Sequence, residues 1–91
     1  MEFEWDPEKE AENIRKHGIS FLEAQSVFAD PLSITIPDPE HSHGESRFLI
    51  LGTSGAHRLV VACHTERGDR IRIINAREAT RRERTDYESG Q

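Results

Sequence analysis

At Asp30-Pro31 the hydrophobic period of the chain changes, and that change limits the folds open to it. Upstream, apolar residues recur at helical spacing behind two helix starts. Downstream, residues 32–36, 47–53, 58–65 and 70–76 are β-branched or apolar runs. Turn clusters part them: Pro37-Asp38-Pro39 through Gly44-Glu45, then Ser54-Gly55, then Arg67-Gly68-Asp69. Connections this short imply an antiparallel meander. The fold class is therefore α+β, with two N-terminal helices packed on a four-stranded antiparallel sheet and a short C-terminal helix.

The helices are marked by their ends. Asp6-Pro7-Glu8 supplies an N-cap, a proline where a missing N–H costs nothing, and acids that complement the helix dipole. Ala11 and Ile14 give this helix a narrow apolar stripe, and Lys16-His17-Gly18 closes it, so it spans about residues 7–17. Ser20-Phe21-Leu22-Glu23 is a capping box with Ile19 and Ala24 placed as a hydrophobic staple. Phe21, Ala24, Val27 and Phe28 form its buried face, and Asp30 ends it because a residue before proline is driven out of the α region. Thr80-Arg81-Arg82-Glu83 is a further capping box and predicts a helix over residues 81–88.

The last strand carries an irregularity. Arg70, Ile71, Arg72 and Ile73 alternate as a half-buried strand does, and Ile74 then breaks the alternation. A bulge or strand end near Ile74 would re-aim Arg72 and Arg77.

Ninety-one residues suffice for one modest core, so residues 1–91 are expected to form one domain. No apolar run approaches a membrane span and no basic-then-apolar leader opens the chain, which predicts a soluble, cytoplasmic protein without a membrane partner. The lone cysteine, Cys63, lies in an apolar run and is expected to pack in the core.

The net charge of -5 hides an asymmetry. Residues 1–45 hold 11 acidic and 3 basic side chains, whereas residues 46–91 hold 6 acidic and 9 basic. Seven of the twelve basic residues fall between Arg67 and Arg84, and all seven are arginine, whose planar fork suits phosphate. Such a cluster is either a solvated face of local ion pairs or a phosphate-binding groove. His64 and Glu66, two apart on a strand, share a face, with Arg67 beside them. RNA cleavage by 2′-hydroxyl attack needs a base, an acid and cations on the phosphorane, and an imidazole, a carboxylate and arginines supply them. The alternative is that His64 packs at a strand end and Glu66 pairs with Arg67. Lys16 and His17 are explained by the helix dipole alone unless that terminus faces the arginine strand. The loop from Glu40 to Glu45 holds His41 and His43, a weak metal signal without further fixed ligands.

The motifs together carry a resemblance. They are Phe3-Glu4-Trp5-Asp6-Pro7, Lys16-His17-Gly18-Ile19-Ser20-Phe21 with Glu23-Ala24, and Phe28-Ala29-Asp30-Pro31. His64-Thr65-Glu66-Arg67 follows, and then the stretch from Arg72 to Tyr87. In this order the chain resembles, nearly from end to end, the BrnT family of bacterial toxins. The resemblance implies a type II toxin of the RelE-like superfold, a ribonuclease that arrests translation without a metal or other cofactor. It also implies a BrnA-like antitoxin with a ribbon-helix-helix domain, which neutralises the toxin and reaches operator DNA through the complex. The residues carried over are His17, His64, Glu66, Arg67 and Arg77 as catalytic, with Lys16, Arg72 and Arg81 as RNA-binding. Glu66 or His64 would be the base, His17 or Lys16 the proton donor or a phosphate contact. Arg67 and Arg77 would meet the transition-state charge. The rival class is a non-catalytic basic-faced module, an inactive relative acting as co-repressor with a DNA-binding partner. A weaker third is a metal-dependent protein using His41 and His43.

Overall fold

A computed structural model describes residues 1–90. The elements run β1 (Glu2–Glu4), α1 (Pro7–His17), α2 (Phe21–Ser26), β2 (Ile34–Pro37), β3 (Arg47–Thr53), β4 (Leu59–Arg67), β5 (Arg70–Glu78) and α3 (Arg81–Ser89). Short 3-10 turns follow α2 at Val27–Ala29 and β2 at Pro39–His41. The class is α+β, as the change of period implies, but the sheet has five strands rather than four and is mixed rather than antiparallel. Its order is β1-β5-β4-β3-β2. β1 pairs parallel to β5, Phe3 opposite Ile71. Three residues of Glu-Phe-Glu carry too little alternation to read as a strand, and the partner lies at the far end of the chain. β2 begins at Ile34 instead of Leu32, because the Asp30 carboxylate accepts a hydrogen bond from the Leu32 N–H at 2.9 Å and holds a turn there.

The capping signals act mostly as written. Asp6 accepts from the Glu8 N–H at 2.9 Å, and Gly18 closes α1 in the left-handed region at φ 69, donating to the Ile14 carbonyl. Ser20 caps α2 through the Glu23 N–H. The reciprocal half of that box is not made, since the Glu23 carboxylate is engaged by Arg58 and Ser54. Thr80 and Glu83 form a complete box at α3.

The core lies between α2 and one face of the sheet. Ile19, Phe21, Ala24 and Val27 pack there on Ile50, Val60, Ala62, Ile73 and Ala76. α1 attaches differently. Ala11 and Ile14, read as its apolar stripe, are exposed, and its one buried residue is Asn13. The Asn13 amide donates to the carbonyls of Ile19 and Ala76 at 2.9 Å each, and its oxygen accepts from the Ala76 N–H at 3.0 Å. A buried amide satisfied three times over clamps the helix to β5 where an apolar stripe would have done so. Cys63 is buried, as expected. No helix among the described residues is long and apolar enough to cross a membrane.

Candidate active site

Side chains alternate across a strand, so the core assigns every strand residue to a face. Val60 and Ala62 point to the helices, which leaves Val61, Cys63, Thr65 and Arg67 on the open face. On β5, Ile73 stands opposite His64 and Asn75 opposite Cys63, so Ile74 is an extra residue without a partner. The break in alternation at Ile74 is thus a β-bulge. Without it, Asn75 and Arg77 would share the helix face with Ile71 and Ile73. With it, Arg70, Arg72, Asn75 and Arg77 all join Arg67 and, from β3, Arg47 on the open face.

Three polar clefts meet around this bulge. The first, of about 420 Å³, lies between α1 and β5, where Lys9, Lys16 and His17 face Ile74 and Asn75. The second, of about 140 Å³, gathers Lys9, Glu45, Arg47, Arg67 and Arg72 beside Ile74. The third, of about 350 Å³, holds Arg47, Asn75 and Arg77 under Asp38, Glu40 and His41. Lys9, Arg47, Ile74 and Asn75 each border two clefts, which makes the three a single polar groove around the sheet edge.

The groove's arginines are matched by carboxylates from three places, α3, β1 and the loop before β3. Arg77 donates to both oxygens of Glu83 on α3 at 2.8 and 2.9 Å, which holds the Glu83 carboxyl down at about 2. Arg72 donates to Glu4 of β1 at 2.8 Å, with Arg70 at 3.6 Å from the same carboxylate, whose pKa falls as a result. Arg67 lies 3.4 Å and Arg47 3.8 Å from Glu45. These last contacts are long, and the Arg47 Nε is buried without a hydrogen-bond partner among the described residues. Arg58 serves the fold instead, gripping both oxygens of Glu23 at 2.7 Å and the Gly18 carbonyl.

Of the residues singled out from sequence, Arg67, Arg72 and Arg77 come together on the open face, and Lys16 and His17 stand at the α1 end of the groove. The helix C-terminus therefore does face the arginine strand. Arg81 is exposed on α3 with no carboxylate within 4 Å among the described residues. His64 and Glu66 share a face, as their spacing requires, but it is the helix face. His64 is 5% exposed between the rings of Phe28 and Phe48, at centroid distances of 4.8 and 5.7 Å. Burial pushes its pKa below the ordinary 6.5, so the ring is neutral at pH 7. Glu66 lies exposed at the far end of β4. The groove adds Lys9, Glu45, Arg47 and Asn75, which sequence reasoning missed. Shared strand parity between Arg47 and Arg67 was the signal for the first of the arginines. In the 40–45 loop His41 Nδ1 pairs locally with Asp38 at 2.8 Å, and no three His, Cys, Asp or Glu side chains among the described residues cluster as metal ligands.

α3 closes one side of the open face. The Tyr87 hydroxyl donates to Asp30 at 2.6 Å, and Glu83 holds Arg77. Beneath the helix is a cavity of about 200 Å³ with Ile34, Ile36, Leu49, Leu51 and Val61 on its floor.

Comparison with known proteins adds to this geometry. Residues 5–83 match the family described as the ribonuclease toxin BrnT of type II toxin-antitoxin systems. The fold is similar to that of the Brucella abortus ribonuclease toxin BrnT, solved by crystallography at 1.1 Å, with a TM-score of 0.70 and 20% identity. The superposition covers 89% of this chain and 99% of that one. No curated protein sequence matches.

Proposed function

Since the chain belongs to the BrnT family of ribonuclease toxins of type II toxin-antitoxin systems, we propose that its polar groove is the active site of a metal-independent endoribonuclease. The observation that carries this reading is the bulge at Ile74, which turns Arg77 onto the face of Arg47, Arg67 and Arg72. The same bulge seats Ala76 in the core under Asn13, so one irregularity serves packing and turns an arginine into a cleft, and such irregularities recur beside active sites.

The roles follow from position. An RNA strand enters over Lys16 and His17 at the α1 end, passes the bulge and lies along Arg47, Arg67 and Arg72, with Arg77 released from Glu83 to meet phosphate. Arg81, exposed on α3, extends the track. Arg47, Arg67 and Arg77 stabilise the charge that develops on the phosphorane. His64 keeps its packing position and takes no part in proton transfer. Cleavage of messenger RNA in the cytoplasm would block translation. A BrnA-like ribbon-helix-helix antitoxin, whose acidic surface replaces RNA in the groove, neutralises the toxin and carries the pair to operator DNA.

The test is incubation of the purified protein with a mixed RNA in excess EDTA, with and without ribosomes, beside Arg67→Ala and Arg77→Ala. Wild type is expected to leave 2′,3′-cyclic phosphate ends, and each variant to cleave about 10²-fold more slowly. Binding of RNA without cleavage in either setting would establish the non-catalytic module instead.

A further inference from the structure

The groove needs a base for the 2′-hydroxyl, and His64 and Glu66 face away from it. Resting on the ribonuclease reading above, we propose that Glu45 is that base. Its carboxylate lines the second cleft with Lys9, Arg47, Arg67 and Arg72.

Most other carboxylates of the groove are committed, Glu12 to Lys16 at 3.0 Å among them, and Glu40 lines the third cleft rather than the second. Glu83 has both oxygens bound by Arg77, and its depressed pKa makes it a weak base. Glu4 is bound by Arg72 at 2.8 Å. Asp6 caps α1 and Asp38 holds His41. Within the second cleft Glu45 is held loosely, since Arg67 donates to one oxygen at a long 3.4 Å and Arg47 stands 3.8 Å from the other. The chain that follows it is fixed at two points. The Ser46 carbonyl accepts from the buried Thr65 hydroxyl at 2.7 Å, and the Arg47 N–H donates to Ser42 at 2.9 Å. A carboxylate two residues before an anchored strand, between two arginines, is placed for proton transfer beside a phosphate.

The step balances as follows. Glu45 takes the 2′-hydroxyl proton as that oxygen bonds to the adjacent phosphorus, and the P–O5′ bond breaks. The leaving oxygen takes a proton from the Lys9 ammonium, which lines the same cleft. One fragment ends in a 2′,3′-cyclic phosphate and the other in a 5′-hydroxyl, and Glu45 and Lys9 then exchange protons with water. The Arg47 guanidinium, which lines the same cleft, meets the charge of the phosphorane.

The experiment compares wild type, Glu45→Gln and Glu45→Asp for cleavage and for binding of an RNA oligomer whose reactive 2′-hydroxyls are methylated, with melting curves to verify folding. Glu45→Gln is expected to cleave 10²- to 10⁴-fold more slowly. It should bind the methylated RNA as tightly as wild type or more tightly, because a competing negative charge is gone. Glu45→Asp should keep part of the rate. Unchanged or faster cleavage by Glu45→Gln would make Glu45 a counter-ion of Arg47 and Arg67 and overturn the proposal. Cleavage and binding lost together would do the same by showing a structural role. A wild type inert with and without ribosomes would instead overturn the ribonuclease reading, and Glu45 with it.

Discussion

The two faces of the sheet are built on opposite principles. Toward the helices, Ile50, Val60, Ala62, Ile73 and Ala76 are buried and uncharged, and even the imidazole among them is neutral. Toward the open side stand Arg47, Arg67, Arg70, Arg72 and Arg77, each within 4 Å of a carboxylate. One face gains stability from area removed from water. The other holds charge in place by ion pairs, five arginines to three carboxylates, so under the proposed function an anionic strand binds it by exchanging partners rather than by filling an empty site. Under that proposal an acidic chain is reconciled with a nucleic-acid substrate: the acids of β1, α3 and the loop before β3 occupy the arginines until phosphate replaces them.

The sharpest way to break this contrast is at Asn13, which joins the packed side by polar bonds alone. Asn13→Leu removes three hydrogen bonds and strands the Ala76 and Ile19 backbone groups, and urea melts should show a loss of roughly 3 kcal/mol. A loss within a few tenths would mean that α1 is held by something other than this clamp. Smaller effects belong to the charged face. Glu83, held at about 2 against an ordinary 4.5, contributes stability that is complete above the unfolded value and is lost as pH falls toward 2. The pair is partly solvated, so Arg77→Ala should cost about 1 kcal/mol at pH 7 and clearly less at pH 2, where about half of the Glu83 carboxyls are protonated, a difference that melts at the two pH values would register. The smallest effect returns to the packed face. A buried His64 with its pKa lowered favours the unfolded chain once that chain protonates, so wild type should lose stability as pH drops below 6.5. His64→Phe should stay within about 1 kcal/mol of wild type at pH 7.5, lose that acid slope, and retain RNA cleavage.

Helix boundaries and the bulge were legible because they are local: caps, prolines and one broken alternation each act within a few residues. The open face was half legible. The i, i+2 spacing correctly put His64 and Glu66 on one side of β4, but the run Leu59-Val60-Val61-Ala62-Cys63 is apolar at both parities and gives no sign of which side the helices cover. That choice is made by Ile19, Phe21 and Val27 in a different part of the chain. The acids were read as an N-terminal block and the arginines as a C-terminal one, and only folding shows Glu4 against Arg72 or Glu45 against Arg67. Asn13 was invisible for a related reason: a polar residue on a helix reads as solvent-facing until its backbone partners, one of them 63 positions away, are known.

The parallel pairing of β1 with β5 sets an order of assembly during synthesis. Glu2 meets Arg70 and Glu4 meets Arg72, so the first strand to leave the ribosome has no neighbour until the last strand has followed it out. Contacts of such long sequence separation form late, after the local helices and hairpins. The groove, which draws on α1, the β3 start and β5, is equally incomplete until then. A nascent chain stalled anywhere before residue 77 lacks Arg77 altogether. Under the proposed activity, cleavage begins only once β5 has emerged and closed the groove against β1 and α1.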